Sequence, residues 1–309
     1  MNSGFQFSIV VPCFNEEGNI RPLYQSLVNT LGKYEKFEIL IVDDGSQDES
    51  VAAIKQLRSN DQRVKCISLS RNFGHQAAVK AGLDHATGDF AITMDADLQH
   101  PPEVIDQMIE KWKEGSQIVY TRRKNNRSYA PLKRILTYLF YKIISWLAAV
   151  KIEEGAADFR LIDRKVIDLI RPLNDNFLFL RGLLPWMGFS TSTVFFAISD
   201  RYSGKTKYTF RKMVRLAING ITSFSIKPLR LSMLTGLILS VLSFLYAIYA
   251  IYAKFYDERV VEGWTSVLVA VLFIGGMQLI MIGIIGEYLG KLFIQSKGRQ
   301  AYIIKEMII

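Results

Sequence analysis

Two long uncharged stretches in the last third of this chain constrain it more than any other feature. Leu231–Ala253 and Trp264–Gly286 each run for 23 residues without an Asp, Glu, Lys or Arg. At about 1.5 Å of rise per residue, a helix of that length crosses about 30 Å of hydrocarbon, and a water-soluble fold has little use for two of them. Both are expected to be transmembrane helices joined as a hairpin. The loop between them, 254–263, carries two basic and three acidic residues, whereas Lys227, Arg230, Lys291, Lys297 and Arg299 flank the outer ends. The positive-inside rule then puts both termini in the cytosol. The N-terminus lacks a basic region followed by a long apolar stretch, so the first domain is expected to stay there. Gly275, Gly276, Gly283, Gly286 and Gly290 offer small-residue faces for packing between protomers, which suggests a homo-oligomer.

The chain divides at these spans into a domain over 1–228, the hairpin over 229–290 and a cytosolic tail over 291–309. In the first domain, short β-branched runs alternate with helical stretches: Phe7–Pro12 and Asn19–Gly32, Phe37–Val42 and Asp48–Asn60, Val64–Leu69 and Gln76–Thr87, Phe90–Asp95 and Pro102–Glu114, then Ser116–Thr121. Such alternation predicts βαβ units, an α/β class and a mostly parallel, Rossmann-like sheet. Ligands of these sheets bind beyond the carboxyl ends of the strands. Four consecutive strand ends carry Asn15-Glu16-Glu17, Asp43-Asp44-Gly45-Ser46, Arg71-Asn72-Phe73-Gly74-His75 and Asp95-Ala96-Asp97. Turn and cap chemistry explains any one cluster but strains to explain all four on one edge.

The formal charge is +9, with Lys and Arg concentrated between Arg122 and Lys227. That balance favours an anionic surface or substrate. The basic stretches 133–151 and 205–227 interleave lysines and arginines with Ile, Leu, Phe and Trp, which suits a lipid interface better than a nucleic-acid groove. Both are expected to be interfacial amphipathic helices, although 133–151 reads equally well as a core helix. Cys13 and Cys66 have no metal-like or disulfide-like spacing and are expected to be small core residues.

The most specific local signal is Asp95-Ala96-Asp97-Leu98-Gln99 after an apolar strand. Two carboxylates one residue apart share a cleft only if the backbone turns, and a hard divalent cation gives a reason to bring like charges together. This is the logic of a DxD site for Mg2+ or Mn2+ bridging to a diphosphate.

At this point the chain resembles the family 2 glycosyltransferases, within them the polyprenyl-phosphate enzymes related to dolichyl-phosphate mannose synthase, and in its hairpin the bactoprenol glucosyltransferase branch. The resemblance rests on Val10–Glu17, Val42–Ser46, Ser70–His75, Asp95–Gln99, Ala157–Leu161 and Arg201–Tyr208, in order along the chain. His100 stands where an acidic residue is usual, and Ala157 where Gly is usual. The resemblance implies a GT-A-like fold and inverting transfer of a hexose, glucose from UDP-glucose, to polyprenyl phosphate at the cytosolic face of a bacterial inner membrane. It implies nucleotide-sugar contacts from Pro12, Asn15, Glu16, Asp43, Asp44, Gly74, His75, Asp95 and Ala96, and metal ligation by Asp95, Asp97 and Gln99. Arg122, Arg123, Arg134, Arg201 and Lys207 are the candidates for holding acceptor phosphate and donor diphosphate, because a lipid phosphate is already anionic and needs positioning more than deprotonation. Asp158 is the candidate for orienting the acceptor or assisting as a base. Membrane lipids complete the expected partners, and nucleic acid is not among them. The alternatives are a GDP-mannose enzyme of the dolichyl-phosphate type and a non-catalytic nucleotide-sugar-binding membrane scaffold.

Overall fold

A computed structural model describes residues 4–123, 156–175, 179–197, 222, 225–256 and 263–308. The expected strands and helices form: β1 (Phe7–Cys13), α1 (Glu17–Leu31), β2 (Phe37–Asp43), α2 (Ser50–Asn60), β3 (Val64–Leu69), α3 (His75–His85), β4 (Phe90–Thr93), α4 (Val104–Lys113) and β5 (Ile118–Arg123). They are followed by β6 (Ala156–Asp163), α5 (Arg164–Ile170), α6 (Leu180–Trp186), β7 (Thr191–Phe196), the hairpin helices α7 (Lys227–Tyr256) and α8 (Trp264–Ser296), and β8 (Ile304–Ile308). Among the described residues, one mixed sheet holds all eight strands, in the order β7-β5-β6-β4-β1-β2-β3-β8. The pairs β1–β2, β1–β4, β2–β3 and β5–β7 are parallel, which makes the sheet mostly parallel, GT-A-like as expected.

β1 and β2 are buried along their whole length. Their near-continuous apolar runs follow from helices covering both faces of the sheet. Phe7, Ile9 and Val11 join Ile20, Leu23 and Leu27 of α1 on one face, while Val10 joins Val79 and Leu83 of α3 on the other. The amino ends of the strands are plugged with aromatics: Phe7 stacks on Phe90 at 5.3 Å, and Phe90 lies 4.5 Å from Trp112. Apolar rings thus fill one end of the sheet and leave the carboxyl ends for polar chemistry. Cys13 and Cys66 are buried free thiols, as expected.

Two features depart from the sequence reading. The tail is not a free segment: Ile304–Ile308 pairs antiparallel with β3, giving an otherwise open edge of β3 hydrogen-bond partners. The hairpin helices also outrun the uncharged stretches, because Glu287 and Lys291 end the apolar run without ending the helix. At about 1.5 Å per residue, the 33 residues of α8 reach roughly 50 Å, about 20 Å beyond a hydrocarbon core of about 30 Å. Just before α7, the Ser225 carbonyl accepts from Tyr288 at 2.6 Å and the Thr222 hydroxyl from Lys291. Large apolar side chains on α7 and α8, Met233, Leu237, Phe244, Leu279 and Ile282 among them, are exposed. An apolar surface of this extent calls for lipid around it. A Cβ added at Gly275, Gly276, Gly283, Gly286 or Gly290 would meet nothing within 4 Å, so these glycines do not serve contact with α7. Because β1–β3 and β8 lie in one sheet, the chain before α7 and the chain after α8 belong to the same domain.

Glu38 on β2 is a buried carboxylate that takes bonds from Ser8, Lys65 and both the amide (2.7 Å) and hydroxyl (2.8 Å) of Thr87. Burial alone would raise its pKa, but bonds from Lys65, Ser8 and Thr87 outweigh it and hold the group below the ordinary glutamate range. A depressed folded pKa gives stability that is present above the unfolded pKa, about 4.3, and lost as pH falls. Glu38→Gln is therefore expected to flatten the acid limb of thermal stability below about pH 4.3; an unchanged limb would contradict this. α3 lies on β1 closely enough that a Cβ at Gly82 would sit 2.2 Å from Val10 Cγ1. Gly82→Ala is expected to cost about 1–3 kcal/mol by overpacking, read as a lowered Tm in detergent.

Candidate functional site

The site forms where β1, β2, β3 and β4 end, with β6 entering beside them. Asp43 and Asp44, 1% and 3% exposed, close β2. Asp43 accepts from the Ser46 amide at 3.1 Å and the Ser68 hydroxyl at 3.1 Å. Asp44 accepts from the amides of Phe73 at 2.7 Å and Gly74 at 2.9 Å. Burial, opposed by these two amides, raises the Asp44 pKa. Both carboxylates brace the loops around them. Asn15, in the left-handed region at φ 54°, accepts from the Gln47 amide at 2.9 Å, and Glu16 takes the Asn19 side-chain amide at 2.6 Å. Pro12 sits buried at the end of β1 opposite Val42.

Gly74 ends the loop that Asp44 holds, and His75 opens α3 with its Nε2 2.8 Å from Asp95 Oδ1. Burial would lower the His75 pKa; the hydrogen bond and charge of Asp95, with Asp158 behind it, outweigh burial and raise it. Burial raises and His75 lowers the Asp95 pKa, and the net direction is down. The histidine side chain is nonetheless 41% accessible, so the pair faces solvent across the strand ends. After Asp95 the backbone turns, as two carboxylates in one cleft require: Leu98 takes φ 61°, and Asp97 Oδ1 accepts the Gln99 amide at 3.2 Å.

His100 is 1% exposed, stacks on Phe159 at 5.1 Å and takes the Asp95 amide on Nδ1 at 3.2 Å. Burial lowers its pKa against the pull of Asp95 and Asp97. A neutral imidazole, accepting on Nδ1, fixes the backbone of Asp95. The unusual His100 thus has a structural role.

Asp158 arrives by a route that spacing alone does not reveal. β6 runs antiparallel to β4, so its beginning lies at the carboxyl end of β4, and Thr93 Oγ1 donates to the Asp158 carbonyl at 2.6 Å. Its carboxylate, 15% exposed, is gripped by Arg160 and by Arg181, whose Nε and Nη2 reach the two oxygens at 3.0 and 2.8 Å. Burial is opposed by the charges of Arg160 and Arg181, which hold Asp158 well below the usual carboxylate range. Such a group stays ionised and is a weak base, so its chemistry is to orient and to balance charge. Arg181 and Arg160 had no assigned role in the sequence reading. Arg181 was findable as the one charge in the apolar run 177–189.

Asp95, Asp97 and Gln99 supply hard oxygen donors, the set that Mg2+ or Mn2+ takes when a diphosphate and water complete the shell. Among the described residues no group of three or more His, Cys, Asp or Glu is arranged to hold a metal. Two carboxylates and one amide oxygen fill only part of the octahedral shell that Mg2+ takes, so substrate or water oxygens would complete it. Arg122 and Arg123 end β5, and the charge of Arg123 acts on His100. Arg134, Arg201 and Lys207, with 133–151 and most of 205–227, lie outside the described residues.

Residues 8–170 match the family model for Glycosyl transferase family 2, and residues 227–292 match that for the GtrB C-terminal hairpin. The chain is 41% identical over 307 residues to the uncharacterized glycosyltransferase YkcC of Bacillus subtilis (strain 168), covering 99% of this chain and 95% of that one. It is 42% identical over 302 residues to the bactoprenol glucosyl transferase of Shigella phage SfV, covering 97% and 98%. Among solved structures, glucosyl-3-phosphoglycerate synthase from Mycobacterium tuberculosis, crystallised with Mn2+, UDP and phosphoglyceric acid, aligns with a TM-score of 0.49 at 15% identity, over 71% of this chain and 77% of that one. The chain belongs to glycosyl transferase family 2 and ends in a GtrB-type hairpin.

Proposed function

We propose that this glycosyltransferase moves glucose from UDP-glucose to polyprenyl phosphate, with inversion, at the cytosolic face of a bacterial plasma membrane. The observation that carries this reading is a cluster of Asp95, His75, Asp158 and Arg181 at the strand ends of a sheet whose last strand follows directly on a membrane hairpin. The bactoprenol glucosyl transferase relative, matching along almost the whole chain, supports the choice of sugar and acceptor. The seven residues between Ser296 and Ile304 span at most about 25 Å, which keeps the sheet near the membrane end of α8.

In the reaction, an oxygen of the lipid phosphate forms a bond to the anomeric carbon while the bond from that carbon to the diphosphate oxygen breaks on the opposite face. The acceptor is already anionic, so no proton has to move before attack. Asp95, Asp97 and Gln99 would hold Mg2+ or Mn2+, which neutralises charge on the departing diphosphate. Asp158 holds Arg181 through Nε and Nη2, and a guanidinium fixed in this way can place its charge beside a phosphate oxygen. Arg122, Arg134, Arg201 and Lys207 are the further candidates for phosphate contacts. His75 fixes the Asp95 carboxylate before the donor arrives.

Two outcomes test this. With labelled UDP-glucose and polyprenyl phosphate, the detergent-solubilised chain should form a glycolipid; Asp97→Asn and excess chelator should each abolish it, and full turnover in chelator would remove the cation from the account. Arg181→Ala should lower kcat by about 10²- to 10³-fold, the scale of losing one donor to developing charge, and Arg181→Lys should recover only part, because an ammonium cannot bridge both oxygens of Asp158. Equal activity of Arg181→Ala and wild type would exclude the proposed role.

A further inference from the structure

Before it joins the sheet as β8, the segment after α8 meets the catalytic domain through Ala301, Tyr302 and Ile303. The Ile303 carbonyl accepts the Ser70 amide at 2.8 Å, at the start of the loop that ends in His75. The Tyr302 hydroxyl donates to Asp84 Oδ2 at 2.8 Å, on the last turn of α3. The Ala301 amide donates to Asn174 at 3.2 Å, three residues beyond Arg171. Asp84 also takes both 2.6 Å bonds of Lys80, an almost fully buried lysine that gives a further bond, 3.0 Å, to the Arg171 carbonyl. The Tyr302 ring packs on the same cluster as Phe73, with Leu69, Ala78 and Ala81. Nothing in the transfer chemistry uses Lys80, Asp84 or Tyr302.

The other end of α3 lies in the site. His75 meets Asp95, and the Gln76 side-chain oxygen accepts the Leu180 amide at 3.2 Å, next to Arg181. α3 has 11 residues, a rod of about 16 Å, and it is wedged against β1 at Gly82. A displacement at its carboxyl end cannot be absorbed by slack in the middle.

We propose that Tyr302 is a positioning residue for sugar transfer: through Asp84 and Lys80 it seats α3, and α3 carries that placement to His75 directly and to Arg181 through Gln76. The hairpin thereby takes part in the site through the strand that follows it. The inference rests on the proposed transfer reaction for its catalytic consequence but not for its structural one.

The test uses the full chain in detergent or nanodiscs and the variant Tyr302→Phe, which keeps the ring and removes the hydroxyl. Hydrogen exchange at residues 70–76 and 180–182 should quicken by about tenfold while α1 stays unchanged. In parallel, kcat/KM for UDP-glucose should fall about five- to tenfold, the worth of one hydrogen bond to a charged group. Unchanged exchange at those residues overturns the inference, as does quickened exchange with kcat/KM within twofold of wild type, the mark of a merely structural bond. Asp84→Asn removes the charge shared by Lys80 and Tyr302 and is read in the same way, should Tyr302→Phe fail to fold. A wild-type chain that makes no glycolipid sinks the transfer reaction, and the exchange data then judge the seating of α3 alone.

Discussion

The two amides that Phe73 and Gly74 donate to the Asp44 carboxylate hold the geometry on which the site depends. They tie the end of β2 to the loop after β3, and the tie is possible only because Gly45, at φ 73°, has no side chain: a Cβ there would lie 2.5 Å from the Arg71 carbonyl carbon. With the loop held, His75 begins its helix at a fixed point and reaches Asp95. The carboxylate that most needs orientation is thus set by a histidine that is set by another carboxylate's hold on the backbone. A buried Asp taking two main-chain bonds is stable in this role, since those bonds replace the water it has lost.

Two of the carboxylates in the site lie against basic side chains. Asp95 faces His75, and Asp158 faces Arg160 and Arg181. The topology makes this possible. β6 enters antiparallel between β4 and β5, and so brings residues 158–160 to the same end of the sheet as residues 95–99, some sixty positions earlier. An all-parallel continuation would have put them at the aromatic end. The low pKa direction of Asp158 is a direct result, and it shifts the weight of catalysis from proton transfer to the placement of anions.

Much of this was legible in the residues. β1 to β4 and their helices announce themselves through alternation, and their polar ends follow because a parallel sheet has only one edge free for chemistry. Asp95, Asp97, His75 and Asp158 were visible for that reason or through motif resemblance. What was not legible depends on long-range pairing. β8, Ile-Lys-Glu-Met-Ile, has two charges in five residues and resembles a tail, because an edge strand exposes most of its side chains and needs little apolar surface. The bonds that Asp43 and Asp44 accept from Ser46, Ser68, Phe73 and Gly74 were not legible either, because their partners lie on separate loops and no local pattern announces them. Helix ends in the hairpin were underestimated because charge was taken as the end of the helix rather than the end of the hydrocarbon.

The proposed function turns on Asp95 and Asp97 meeting the donor diphosphate at the strand ends, within reach of the membrane. A structure of the full chain in a lipid nanodisc with UDP-glucose and Mn2+ tests it most directly. The expected result is a metal ion touching both carboxylates and the diphosphate, with the anomeric carbon facing Arg181. Donor bound elsewhere, or a metal that touches neither Asp95 nor Asp97, would contradict it.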